Sequence, residues 1–153
     1  MLYRLFITLM VILFPISAYA EDTLDNCLPY QKEITSLLES EDVPADYFYL
    51  AVCESGCKNV VSSKGARGFF QITPSIYRHY KSDDCSAEDI DDVRCNTIAA
   101  ARYIKHLRGR FKHIVLLVRA YNRGGTNFQR SNGTGEADAL SKCVLQYISN
   151  DNV

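Results

Sequence analysis

The sequence predicts a mainly helical α+β domain carrying one small β-hairpin. Apolar residues recur at spacings of three and four along most of residues 29–148, the signature of amphipathic helices packed on a common core. Between Val60 and Thr73 that period gives way to two short extended runs around a Gly-bearing turn. Six cysteines follow residue 20, an even number suited to a disulfide-stapled exported domain.

The first twenty residues read as a secretory signal peptide. Arg4 precedes an apolar run from Leu5 to Ile16, and Ala18-Tyr19-Ala20 offers a small-x-small cleavage site before Glu21-Asp22. The run is short for about 30 Å of hydrocarbon, and no later stretch is apolar and long enough to span. The expected product is periplasmic or secreted, with no stable membrane span after cleavage. Removal of residues 1–20 leaves 133 of the 153 residues, one domain's length. Its 16 lysines and arginines against 18 acidic residues give a net charge of −2. That balance argues against nucleic acid as a partner.

The helices follow in order. Pro29 stands as a first-turn proline, and Ile34, Leu37 and Leu38 continue a stripe to about Glu39. Pro44 opens a second helix, on which Tyr47, Leu50, Ala51 and Glu54 share a face until Ser55-Gly56 stops it. Phe69-Phe70-Gln71-Ile72 forms the second extended run, and Thr73-Pro74 caps a short helix to Tyr80. Residues 81–92 form an acidic loop. A long helix spans about Val93 to Leu107, with Ile98, Ala101, Ile104 and Leu107 in register, and another spans about His113 to Tyr121. Arg123-Gly124-Gly125 ends it. Asn127 to Gly135 is a polar loop, and its formal sequon Asn132-Gly133-Thr134 reads as a turn. Glu136 to Ile148 is the last helix.

Six cysteines allow fifteen pairings. Cys85 and Cys95 bracket the acidic loop as a staple would, and Cys27 with Cys143 would tie the domain's ends. Cys53 and Cys57 flank Glu54 at a spacing that makes half a zinc site. No second Cys/His pair follows at ligand spacing, so no metal is expected.

Glu54 carries the chemistry. A carboxylate on an otherwise apolar helix is costly to desolvate, and burial favours its protonated form. A carboxyl that holds its proton near neutrality is the general acid that glycosidic cleavage needs. Around it stand Glu54-Ser55, then Ser62-Ser63-Lys64-Gly65-Ala66-Arg67-Gly68-Phe69-Phe70-Gln71, then Ala120-Tyr121-Asn122. Three such pieces in this order and spacing resemble the catalytic domain of soluble lytic transglycosylases, a fold shared with goose-type lysozyme. The family pattern is a helix-end Glu-Ser, then Ser-x-x-Gly-Ala-x-Gly-Leu-Met-Gln, then Ala-Tyr-Asn. The resemblance covers roughly residues 45–125.

The resemblance implies a lysozyme-like domain with the hairpin beside an active-site cleft, acting on peptidoglycan glycan strands without a cofactor. Glu54 would be the single acid/base, with the substrate's N-acetyl group and 6-hydroxyl supplying the rest and closing a 1,6-anhydro ring. Ser62, Gln71, Tyr121 and Asn122 would bind substrate, Tyr121 through its hydroxyl on the carboxyl or the N-acetyl group. Small members of the family open the wall for secretion, conjugation or pilus machines, which makes such a machine a candidate partner. Phe69-Phe70 departs from the family's Leu-Met, the Glu54-to-Ser62 interval is a residue short, and the family's later Pro-Glu-Thr-x-x-Tyr is missing, with Tyr147 a candidate substitute. Two alternatives stand beside this reading. One is a goose-lysozyme-like muramidase that uses Asp83 or Asp84 as a second carboxylate to position water. The other is a non-catalytic peptidoglycan-binding assembly protein.

Overall fold

The first helix begins well before its proline. In the computed structural model, which describes residues 16–125 and 139–150, α1 spans Ile16–Ser40 with Pro29 in its interior. An interior proline removes one ladder bond. Here Leu24 packs on the core and buried Cys27 is bonded to Cys57, so tertiary contacts hold the turns ahead of Pro29 against that cost. The expected cleavage point after Ala20 falls within α1, and residues 1–15 of the expected signal peptide lie outside the described residues.

A tight turn follows, with Asp42 at φ +60°. Basic residues of the long helix α4 (Val93–Arg110) hold that turn. Arg102 pairs with Glu41 at 3.0 Å and Lys105 with Asp42 at 2.8 Å, and Arg108 donates to the Asp42 carbonyl. A 3-10 turn at Ala45–Tyr47 then leads into α2 (Phe48–Ser55). The sequence suggested one apolar stripe on α2, yet Phe48 through Val52 are all buried, so this helix runs through the middle of the protein. Gly56 ends it in the left-handed region at φ +60°, as Ser55-Gly56 foretold.

The expected β-hairpin is not formed. No strand occurs among the described residues. Residues 60–73 instead wind through turns, closed by one isolated antiparallel bridge between Arg67 and Ile72. Gly68 at φ +72° and Gln71 at φ +47° curl the four residues inside that bridge, so pairing cannot extend inward. The two valines expected to pair are solvent-facing, Val61 at 63% exposure.

Thr73 caps α3 (Pro74–Tyr80) as predicted, its hydroxyl accepting from the Ile76 amide. The acidic loop is tied down by the Cys85–Cys95 disulfide, as the sequence suggested, by Lys81 Nζ on the Cys85 carbonyl at 2.6 Å, and by the Tyr77 hydroxyl on the Ser86 carbonyl at 3.0 Å. Asp92 caps α4 by accepting from the Cys95 amide. Helix α5 is Ile114–Arg123 and α6 is Ala139–Asn150. The polar loop with its sequon and the expected first turn of the last helix at Glu136 lie outside the described residues. Helix α1 packs on α2 and α4, α4 also meets α3 and α5, and α6 closes over α2 and α5. No described helix is long and apolar enough to cross a membrane.

One cysteine expectation is corrected: Cys27 does not reach Cys143. Cys27 pairs with Cys57 and Cys53 with Cys143. Cys53 is two residues from the end of α2, on a side that meets α6, whereas Cys57 lies beyond the Gly56 stop and is bonded to Cys27 of α1.

Cross-links that close long loops restrict the unfolded chain most. Replacing Cys53 and Cys143 by serine, which opens a separation of 90 residues, should cost about 4–5 kcal/mol, against about 2.5–3 kcal/mol for Cys85 and Cys95 at a separation of 10. Denaturant titration of the two double variants should give that order. Burial and the neighbouring Asp89, Asp92 and Glu88 charges push the Tyr77 phenol up to about 12. Its folded pKa thus lies above the unfolded value near 10, so its contribution is complete below pH 10 and is lost as pH rises towards 12. Tyr77→Phe should flatten the fall in stability over that window relative to wild type, measured by thermal melts across the pH series.

Candidate active site

The end of α2, the turns of residues 62–73 and the end of α5 converge on one cleft of about 710 Å³. Its lining includes Glu54, Ser62, Gln71, Tyr121 and Asn122, so all five residues proposed from sequence meet in one place. Glu54 is partly buried, and among the described lining residues it is the only carboxylate. It also borders a second hollow of about 390 Å³ toward Thr23 and Asn26 of α1, and so stands in the partition between the two.

The turn that carries Gln71 into the cleft is built on two phenylalanines. Phe69 and Phe70 are buried, at 4% and 0% exposure, so they pack inward and offer no ring face to a ligand. Phe69 sets an edge against Tyr30 at 4.9 Å. Their backbone is held by three helices. Ser55 of α2 donates to the Phe69 carbonyl at 2.8 Å. Asn96 of α4 accepts from the Phe70 amide at 3.0 Å, while its own amide donates to the carbonyls of Ile90 and Arg67. Tyr121 of α5 donates to the Phe70 carbonyl at 2.7 Å. Gly68 admits this arrangement, since a Cβ there would stand 2.2 Å from Asn96 Nδ2.

The expected ligand groups are therefore largely engaged in building the wall. The hydroxyl proton of Tyr121 goes to Phe70, which leaves the phenol oxygen's lone pairs for other partners. Burial first, and then the charge of Glu54, push that phenol well above its ordinary value, so it stays neutral. The Gln71 amide donates to both the Val60 and the Gly68 carbonyls at 2.9 Å. Two acceptors fix which end of the amide is nitrogen, leaving the Gln71 carbonyl oxygen as its remaining polar atom. The same pair of bonds offsets the cost of its left-handed backbone. Ser62 Oγ accepts from the Ala66 amide at 3.0 Å, closing the turn, and lines the cleft as it does so. Asn122 is exposed at the rim.

Sequence reasoning missed Lys64, Tyr103 and Arg123, which also line the cleft. Lys64 was read only as a turn residue. Tyr103 lies beside the apolar stripe of α4 and tilts against Tyr121 at 5.4 Å. Ten tyrosines without one tryptophan were the available hint that tyrosine supplies the aromatic surface. Asp83 and Asp84 do not line the cleft. Asp84 pairs with Arg94 at 2.7 Å on the surface, and the Ser82 hydroxyl followed by Arg94 holds its carboxyl below the usual range. Tyr147 also lies outside the cleft lining, stacked on Tyr49 at 5.0 Å.

Comparison with protein families matches residues 36–142 to the transglycosylase SLT domain. The chain belongs to the SLT transglycosylase family. The match is wider than the motif-bearing segment, taking in the last turn of α1 and the start of α6. Comparison with curated proteins and with solved structures returns no match. SLT domains are lysozyme-like and belong to lytic transglycosylases that act on peptidoglycan, so membership makes this an enzyme of that kind at the level of the family.

Because the Phe70 carbonyl is buried, removing its donor leaves it unpaired. Tyr121→Phe should lower stability by about 1–3 kcal/mol. Asn96→Ala, which strips three bonds, should cost more, as urea unfolding would record.

Proposed function

We propose that this SLT domain is an exported lytic transglycosylase. It would cleave the β-1,4 bond between N-acetylmuramic acid and N-acetylglucosamine, with Glu54 as its single acid and base. The observation that carries the reading is that Glu54 is the only carboxylate among the described residues lining the cleft. Two-carboxylate hydrolysis would need a partner across the groove, and Asp84 is held on the surface by Arg94.

In the first step Glu54 gives its proton to the glycosidic oxygen as the bond from that oxygen to C1 of the muramic acid breaks. The substrate's N-acetyl oxygen stabilises the cationic C1, in the place of a second carboxylate. Glu54, now a carboxylate, takes the proton of the 6-hydroxyl while O6 bonds to C1, and the 1,6-anhydro ring closes. An intramolecular nucleophile gains from proximity and needs no positioned water. Neutral Tyr121 adds no second negative charge beside Glu54. The carbonyl oxygen of Gln71, the hydroxyl of Ser62 and the amide of Asn122 are the proposed contacts to sugar. The signal peptide of residues 1–20 and the extracytoplasmic workplace belong to this proposal. Service to a secretion, conjugation or pilus machine rests on the family resemblance alone.

Glu54→Gln keeps the shape of the side chain and removes the exchangeable proton. It should lower the rate of wall cleavage by about 10²–10⁴-fold with little change in stability. Mass spectrometry of the wild-type digest should show 1,6-anhydro ends. Reducing ends would establish hydrolysis instead, and equal clearing of cell walls by both proteins would remove Glu54 from the role.

A further inference from the structure

The Cys53–Cys143 disulfide, which fastens α6 to the end of α2, differs from the other two in its access. Cys27, Cys57, Cys85 and Cys95 are all buried, so the bonds they form lie inside the core. Cys53 and Cys143 are each only half-buried. Cys53 also lines the hollow of about 390 Å³ that Glu54 separates from the main cleft. Lys58 is the one cation among the described residues of that hollow. Opening a disulfide requires a thiolate to reach one of its sulfurs. A nearby cation favours the thiolate form, both of the attacking group and of the one that leaves.

The bond sits where its loss matters to the cleft. Glu54 follows Cys53 directly on α2. Helix α6 packs on α5 as well as α2, and the end of α5 brings Tyr121 and Asn122 to the cleft. With Cys53–Cys143 open, the buried Cys27–Cys57 bond still ties the end of α2 to α1. Helix α6 keeps its buried Leu140, Ser141 and Val144, and Tyr147 stays stacked on Tyr49 at 5.0 Å. Reduction therefore loosens one helix at the edge of the domain and leaves the remaining core cross-linked.

We propose that Cys53–Cys143 is a site of thiol–disulfide exchange with a dithiol, and that its opening slows the cleft without unfolding the domain. A thiolate of the dithiol attacks Cys53 Sγ and bonds to it. The Cys53–Cys143 bond breaks, its electron pair leaving on Cys143, which takes a proton. The second thiol of the reductant, as its thiolate, attacks the reductant's own first sulfur and releases Cys53, which takes the other proton. The protein gains two electrons and two protons, and the dithiol is oxidised to its disulfide. The slowing rests on the cleft being the place of wall cleavage, whereas the exchange and the loosening of α6 do not.

The test exposes the oxidised wild-type protein to graded dithiothreitol, or to a reduced Cys-x-x-Cys protein such as thioredoxin. Alkylation followed by mass spectrometry then shows which cysteines have opened. Cys53 and Cys143 should be labelled first, while the other four stay closed. At that point hydrogen exchange should quicken in α6 and the last turn of α2 and stay unchanged in α4. Wall cleavage should fall about 10–100-fold, the scale of a small misplacement of catalytic groups, and return on reoxidation. The double variant Cys53→Ser with Cys143→Ser should be slow from the start and ignore dithiol, whereas Cys85→Ser with Cys95→Ser should keep the response. A response to dithiothreitol alone assigns a small reductant, and a response to both assigns a site open to a protein dithiol as well. First labelling at either buried bond overturns the proposal. So do unchanged exchange in α6, unchanged cleavage with Cys53–Cys143 open, and loss of helical circular dichroism on opening. Failure of the underlying reading looks different: the oxidised protein would cleave no wall, and labelling order and hydrogen exchange would still decide the exchange site.

Discussion

Two consecutive backbone units, those of Phe69 and Phe70, are gripped by Ser55 of α2, Asn96 of α4 and Tyr121 of α5. Each bond lies in or at the edge of the core, where a peptide group without a partner is expensive. The three helices therefore cannot shift independently without exposing the cost. The residue after this pair is Gln71 and the residue before it is Gly68, so the clamp also sets where the cleft wall turns. Neighbouring Ser55 holds the wall, and Glu54, one residue earlier, inherits a fixed distance from it.

This economy explains why the conspicuous polar residues of the site look half-occupied. Tyr121, Gln71 and Ser62 each spend hydrogen-bonding capacity on the backbone of the loop, and each still touches the cleft. A side chain anchored in this way approaches a ligand with little rotamer freedom left to lose. The cations Lys64 and Arg123 at the same cleft, and the neutral state of buried Tyr121, leave Glu54 as the one acidic group among the described lining residues.

Much of this was legible in the chain. The Thr73-Pro74 cap, the Ser55-Gly56 stop, the long helix from Val93 and the Cys85–Cys95 staple are local features, decided by residues a few positions apart. So was the gathering of Glu54 with Ser62, Gln71, Tyr121 and Asn122 in one cleft, through the order of their motifs. What escaped was set by distant partners. Pro29 is carried inside a helix because Cys27 and Leu24 are held elsewhere. Val60 to Ile72 has the composition of a hairpin, but Asn96, 26 residues after Phe70, takes the Phe70 amide. The role of Asn96 left no trace in apolar periodicity, because a buried amide inside a helix looks like any other polar position.

The two disulfides around Glu54 are interleaved: Cys27 to Cys57 encloses Cys53, and Cys53 to Cys143 encloses Cys57. Both run through the same five residues that carry the carboxyl, one reaching back to the first helix and one forward to the last. During synthesis Cys53 has no native mate until Cys143 emerges, after almost all of the chain. A thiol therefore sits next to the acid while the 90 residues up to Cys143 are made, and oxidation in that interval could lock it to Cys27 or Cys57 instead. The order of bond formation thus bears on the one stretch of chain that carries the cleft's carboxyl.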